Sequence, residues 1–490
     1  MSFNDTKRQV VPRWLDYRTS CSLGLLARVQ PQKTPLVAFS HDPAKLADWS
    51  NSPNILTGAD LVAENYILGT NSNAQAREAA IFILKHAPQS STIIRELAHS
   101  FLQQDAPPRI QQPHSVFINS NRQEVAILKR IVRANSVNPV AWSDLSLCYA
   151  MQGHRDKASR AMTVALSLGP QNRFILRNAA RCFLHLQEPD RAIRLLRQSG
   201  LCGLDPWIAA AEIAISEGIN RSSPYLKHSK ALIADDNNSF FSKSEIAVAL
   251  STVEAKNGSR KKTKELAQIA LRDPSENALA QLEWLAAQRH IQAPANINSF
   301  AAFEAQARHF YQAKQFTESL KEAEKWIRFE PFSARPLVMA TFLASTCLDD
   351  DKHAIEISTN ALPANRSDPV LLNNRAFSYA RLGDLSAASN ALNQINLNEC
   401  MDNNILMITA THGLLRFRSG KTEEGRDFYR TAVQGFERLA DLRSTAIATF
   451  FWATEEKRIQ SSEAPTLIAD AKKKIKNAGV FELENAVQKL

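Results

Sequence analysis

The sequence predicts an all-α protein: an α-solenoid of stacked antiparallel helix pairs, preceded by a non-repeat N-terminal arm. Three observations predict it. At 490 residues the chain is too long for one compact core. Apolar residues recur at three- and four-residue spacing, the period of one helix face, and only 15 glycines punctuate them. A tryptophan or leucine, a glycine, small alanines and a closing proline return together at matching offsets along the chain.

The clearest unit runs from Pro139 to Pro170. Trp142, Leu145 and Tyr149 share one face of a first helix. Gly153 ends that helix, because it tolerates positive φ without steric cost. Ala158, Met162, Ala165 and Leu166 form a second stripe, whose small alanines let two antiparallel helices approach closely. Pro170 stops the second helix. That spacing resembles the tetratricopeptide repeat (TPR), a two-helix unit of about 34 residues; Ser146 stands where the family prefers glycine. Such a pair cannot bury its apolar face alone and needs neighbours stacked on either side.

Taken in order, residues 1–54 do not repeat. They are expected to form an extended arm that packs on the solenoid or meets a partner. Trp14, Tyr17, Phe39 and Trp49 make it too aromatic for a solvating tail. Residues 35–40 read as a short strand. Residues 55–122 read as a helical segment, either degenerate repeats or a cap. Thr57 is its expected first N-cap, Gly69 a stop, and Pro107, Pro108 and Pro113 mark a loop. A first array is expected over 123–299. Its units begin at Pro139, near Arg173 with Gln187 in the glycine place, near Leu204 with Gly218 at the turn, and near Ser244 with Gly258 at the turn; a break follows at 291–299. A second array is expected over 300–440, with Asp349–Asp351, Gly383 and Gly420 at its turns. Residues 441–490 are expected to cap the rod, with Lys472, Lys473, Lys474 and Lys476 on a polar outer face.

Chemistry is sparse. GxSxG, HExxH and GxGxxG motifs are missing from the sequence. Gly420-Lys421-Thr422 could end a phosphate loop, but Leu415 stands where that loop needs glycine. His41-Asp42 reads as a turn before Pro43. The six cysteines form no CxxC pair and read as buried thiols of a reducing compartment. The expectation is therefore no enzyme, no cofactor and no metal site. The first residues lack the apolar run of a signal peptide, and no stretch is long and apolar enough for a membrane span, so a cytoplasmic location is expected.

Charge is uneven. Net charge is +10, and residues 105–200 hold 14 Lys and Arg against 6 Asp and Glu. Arg177 and Arg181 are four apart and share a helix face. The TPR resemblance implies that they line a concave groove, where some members grip a peptide carboxylate with such residues. The same register implies groove places for His185, Arg308, Tyr311, Asn373 and Arg381. Ser143, Leu147, Ile208 and Glu212 leave that clamp incomplete. The expected function is a protein–protein interaction scaffold or adaptor that holds an acidic peptide or protein on its concave face. The alternative is a nucleic-acid-binding or sensing subunit of a multi-component system, using the basic 105–200 region.

Overall fold

A computed structural model of the chain describes residues 8–14, 43–68, 73–86, 92–102, 119–236, 238–256, 258–294, 301–361 and 363–490. Among them are 25 α-helices and no strand. The strand expected over 35–40, the stop at Gly69, the turn at His41-Asp42 and the loop at Pro107–Pro113 lie outside the described residues.

Four helices come first: α1 Pro43–Asn51, α2 Ile55–Leu68, α3 Ala74–Lys85 and α4 Thr92–Leu102. They share a core built around Trp49, Val62, Ile83 and Phe101. The cap of α2 is not Thr57 but Asn54, whose Oδ1 accepts from the Leu56 and Thr57 N–H groups at 2.9 and 3.1 Å. Both residues are good caps, and the asparagine sits one turn earlier, where the free N–H groups are.

The solenoid begins with α5, Asn119–Ala134, which packs on the first full pair through Leu128, Val132 and Leu145. That pair is α6 Pro139–Met151 with α7 Arg155–Leu168. Next come α8 Arg173–His185 with α9 Pro189–Gln198, α10 Pro206–Gly218 with α11 Leu226–Ala234, and α12 Phe240–Lys256 with α13 Arg260–Leu271. Helix α14, Glu276–Ala287, packs directly on α15 through Leu279, Ala280, Ala302 and Ala305. The pairs then resume: α15 Phe303–Gln312 with α16 Phe316–Phe329, α17 Ala334–Phe342 with α18 Asp351–Ala361, and α19 Pro369–Leu382 with α20 Leu385–Asn393. The last are α21 Asp402–Arg418 with α22 Thr422–Arg438 and α23 Leu442–Arg458 with α24 Ala464–Ala478, followed by the short α25, Glu484–Gln488. The architecture is an α-solenoid of TPR-like helix pairs. Its apolar cores run from one pair into the next.

The turn inside a pair needs one residue in the left-handed region. Gly153, Gly258, Gly383 and Gly420 supply it, and so do Gln187, Asn220, Lys314, Asp349 and Gln460. In the third pair the turn residue is Asn220, not Gly218, which is the last residue of α10. Asparagine and aspartate visit this region more readily than most residues, whereas at the others a cost of about 1–2 kcal/mol is absorbed by the packing on both sides. Gly420 thus sits at a turn between helices and follows no strand, so Gly420-Lys421-Thr422 is not a phosphate loop.

At Gly153 glycine serves a second purpose. A Cβ there would lie 2.1 Å from the carbonyl oxygen of Pro363. The rod curls until the turn of its first pair touches the connection that leads into α19. The space enclosed by that curl holds the residues described next.

Candidate functional site

Residues 8–14, Arg-Gln-Val-Val-Pro-Arg-Trp, form neither helix nor strand, and all but Val11 are buried. Their partners come from helices that follow them by well over 150 residues. Arg8 meets the carboxylate of Glu304, on α15, with Nε to Oε1 at 2.7 Å and Nη2 to Oε2 at 2.9 Å. Its remaining N–H groups donate to Gln281 Oε1 at 2.6 Å and Asn277 Oδ1 at 3.0 Å. The same two amides hold the backbone of the segment: Gln281 Nε2 donates to the Arg8 carbonyl at 2.9 Å, and Asn277 Nδ2 to the Val11 carbonyl at 2.8 Å. Asn277 and Gln281 are four apart on α14, so one helix face presents both. Val10 packs with Ile213, Val248 and Leu282. Arg13 lies among Glu330, Glu304 and Glu276 at 2.9, 3.0 and 3.7 Å. Trp14 closes the segment against Phe332, ring centroids 5.1 Å apart, and His185, 6.5 Å.

Burial and charge oppose each other here. Burial alone would raise the Glu304 carboxyl, but the guanidiniums of Arg335, Arg8 and Arg308 outweigh it and hold the group well below the usual carboxylate range. Glu330 is likewise held down against burial, by Arg13, Arg181 and Arg335. Burial pulls Arg8 down to about 10 against the attraction of Glu304, which leaves it charged at neutral pH. Arg13 is also desolvated, but its three carboxylates overcompensate and raise it. Arg8, Arg13, Glu304 and Glu330 each have an opposite charge within hydrogen-bonding distance, the condition for keeping a buried charge ionised.

The candidate groove residues do not gather in one place. Arg181, His185 and Arg308 border this channel. Arg181 is buried, lies over the Phe332 ring at 4.8 Å and donates to Ser333 Oγ at 3.3 Å. His185 meets Phe332 edge-on at 5.4 Å, and burial, then Arg181 and Arg155, push its imidazole down to about 3, so it is neutral. Arg308 pairs with Glu304 at 3.1 Å. Arg177 is on the same helix as Arg181 but spans to α12, pairing with Glu245 at 2.9 Å and stacking over Trp207 at 4.9 Å. Tyr311 belongs to a separate contact with the chain's end: its hydroxyl donates to Glu482 at 3.3 Å and receives from Arg443 at 2.8 Å. Arg381 pairs with Asp349 and Asp351 at the preceding turn. Asn373 is fully buried, and both polar atoms of its amide lack a partner.

The channel's main wall groups were not singled out by the sequence: Glu304, Glu330, Asn277 and Gln281. One signal was present. Glu304 stands four residues before Arg308, and Asn277 four before Gln281, which puts polar pairs on faces that a free-standing helix pair would fill with apolar residues. The five described cysteines are free thiols, and burial pushes Cys182 and Cys202 up to about 12. Among the described residues no three His, Cys, Asp or Glu side chains gather as metal ligands, and no helix is long and apolar enough to cross a membrane.

No protein-family model matches the chain, and no curated protein matches it. Among solved structures it is similar to TPR-type helical-repeat proteins, each at low identity and with a TM-score well below 0.5. Yeast Tom70 is 14% identical over 76% of this chain and 93% of that one, TM-score 0.30. The human IFIT1 dimer with PPP-AAAA is 13% identical over 76% and 96%, TM-score 0.37. The Cut9–Hcn1 hetero-tetramer of the APC/C is 10% identical over 75% and 94%, TM-score 0.27.

Proposed function

We propose that this protein is a non-catalytic scaffold whose solenoid holds other proteins. One observation carries the reading. The inner wall already grips an extended segment by its backbone carbonyls, through Gln281 and Asn277, as well as by its side chains. Contacts to backbone suit the holding of a chain and serve no bond-making step.

The acidic partner fits a different surface from the one first expected. Arg177 and Arg181 are committed to contacts within the chain. Arg122, Lys129, Arg130 and Arg133 on α5 and Lys157 on α7 are exposed and, among the described residues, pair with no carboxylate. Lys129 and Lys157 flank the Tyr149 ring at 5.9 and 5.8 Å. This outer face would meet an acidic protein surface. The test is capture of the tagged full-length chain from its own cells, beside an Arg130→Glu, Arg133→Glu variant. A partner recovered in near-stoichiometric amount, lost from the variant and weakened by salt above about 0.15 M, is expected. Recovery of nothing above background would end the scaffold reading. An aromatic ring between two lysines also suits a nucleic-acid strand, and a gel shift with single-stranded RNA and DNA that fails at moderate salt removes that second reading.

A further inference from the structure

We propose that the interior channel is a receptor for an extended cationic segment of the pattern Arg-x-x-x-x-Arg-Trp, and that residues 8–14 are its resident occupant, displaced when a partner presents the same pattern. The inference rests on the scaffold reading and names the chemistry of what the inner wall holds.

Three features separate a receptor from a plain structural strut. The first is division of labour. Hydrogen bonds from Gln281 and Asn277 to main-chain carbonyls would hold any extended sequence, whereas the carboxylates read its side chains. Glu304, Gln281 and Asn277 together take the in-plane N–H donors along the edges of a planar guanidinium fork at 2.6–3.0 Å. A lysine ammonium, a point charge with three donors, would satisfy fewer of these acceptors. Five residues on, Glu330 and Glu304 take the second arginine and Phe332 takes the tryptophan.

The second feature is that the central carboxylate stays paired when the segment leaves. Without Arg8 and Arg13, Glu304 keeps Arg308 at 3.1 Å and the guanidinium of Arg335, while Glu330 keeps the Trp326 indole N–H at 2.8 Å. Glu330 and Glu276 lose the guanidinium of Arg13, a cost that the second arginine of an incoming segment offsets. The third is that residues 8–14 belong to no helix, so the helix-to-helix contacts of the solenoid do not run through them; Val10 and Trp14 join two of its apolar cores as anchors that a partner's segment would have to replace.

The experiment uses the full-length chain and a fluorescein-labelled synthetic peptide with the sequence of residues 6–16. Against the Arg8→Ala, Arg13→Ala chain, whose own segment is weakened, fluorescence anisotropy should show saturable binding at least about tenfold tighter than against the wild-type chain, where the tethered segment competes. A peptide with lysine at both arginine positions should bind at least about tenfold more weakly. On the wild-type chain, excess unlabelled peptide should speed tryptic cleavage after Arg8 and Arg13 as the segment is displaced. This readout stands if the double variant does not fold. Absence of binding to a cooperatively folded double variant, or of accelerated cleavage in the wild type, overturns the proposal; so does exchange of the segment between two copies running as a dimer. Cellular capture that still yields a partner would then leave the scaffold reading intact, so the two failures are distinguishable.

Discussion

Residues 8–14 and residues 480–487 both fold back onto helices distant in sequence, and they do so by differently weighted chemistry. The C-terminal stretch continues α24 through the left-handed Gly479 and adds Val480, Leu483 and Val487 to an apolar cluster with Ile447, Phe450 and Ile475. Phe481 stacks on Phe316 with centroids 6.3 Å apart and planes within 4° of parallel; the ion pair of Arg443 with Glu482 lies beside Tyr311, and Lys314 meets Glu484 at 2.8 Å on the surface. The N-terminal stretch is extended, has three carboxylates around its two arginines, and has two of its backbone carbonyls taken by amide side chains. Burial of apolar surface makes the C-terminal stretch part of the core. The N-terminal stretch also buries Val10 and Trp14 in apolar cores, but its arginines and backbone are held as a ligand is held, by directional contacts that water or another chain can replace.

The sharpest way to break that comparison is to neutralise the central carboxylate of each contact. Glu304 sits among Arg8, Arg13, Arg308 and Arg335. Glu304→Gln leaves several buried guanidiniums facing one another, at a cost of about 3–5 kcal/mol. Glu482→Gln strands one arginine whose side chain is 26% exposed, so water relieves it and the loss is roughly 1–2 kcal/mol. Urea midpoints of the two variants measure the difference. Equal losses would mean that the two ends are built alike.

The solenoid was legible because its signals are local. Helix faces, turn residues and small alanines at 139–170 are read within a dozen residues of one another. The turns at Asn220 and Gln460 were not, since any residue can be forced left-handed when helices on both sides fix the chain. Of the four aromatics that marked residues 1–54 as an extended arm, Trp14 packs on the solenoid, Trp49 lies instead in helix α1 within the core of the first four helices, and Tyr17 and Phe39 lie outside the described residues. The place of Trp14 was not legible, because Arg8 and Glu304 are joined only by folding the whole rod. Arg177 and Arg181 share a helix, as their spacing required, yet one reaches α12 and the other the channel. Which helix lies opposite a given face is a tertiary fact that helical periodicity does not contain.

A second test separates closure of the rod from the ordinary demands of its turns. Gly153 and Gly383 both have positive φ, +75° and +86°, but only Gly153 faces backbone, the Pro363 carbonyl, while a Cβ at Gly383 would meet nothing within 4 Å. Gly383→Ala should cost about 1 kcal/mol, the left-handed penalty alone. Gly153→Ala adds overpacking and should cost roughly 2–4 kcal/mol. Because closure encloses the arm, Gly153→Ala should also speed tryptic cleavage at Arg8 and Arg13, and Gly383→Ala should not. Denaturant midpoints and the two cleavage rates decide it.

The smallest expected effect is a pH dependence that again differs between the two regions. His185, against Trp14 and Phe332, is held neutral in the folded chain down to about pH 3, first by burial and then by Arg181 and Arg155. In the unfolded chain it takes a proton near about pH 6.5. Between those values the unfolded state binds more protons, so stability rises with pH there and is lost as pH falls below about 6.5, by at most about 1.4 kcal/mol per unit. His412, far from the arm on α21, is shifted the same way by burial and Arg416, while His353 is shifted upward because the carboxylates of Glu324 and Glu356 outweigh its burial, so its contribution is present in acid and lost as pH rises. Urea midpoints at about pH 7 and about pH 5 should therefore fall less for His185→Gln than for the wild type. Since His185 touches the arm, wild-type acidification within that window should also loosen residues 8–14 ahead of residues 480–487, read as faster amide hydrogen exchange after correction for the intrinsic rate. Equal loosening at both ends would detach His185 from the arm and leave its titration a property of the solenoid alone.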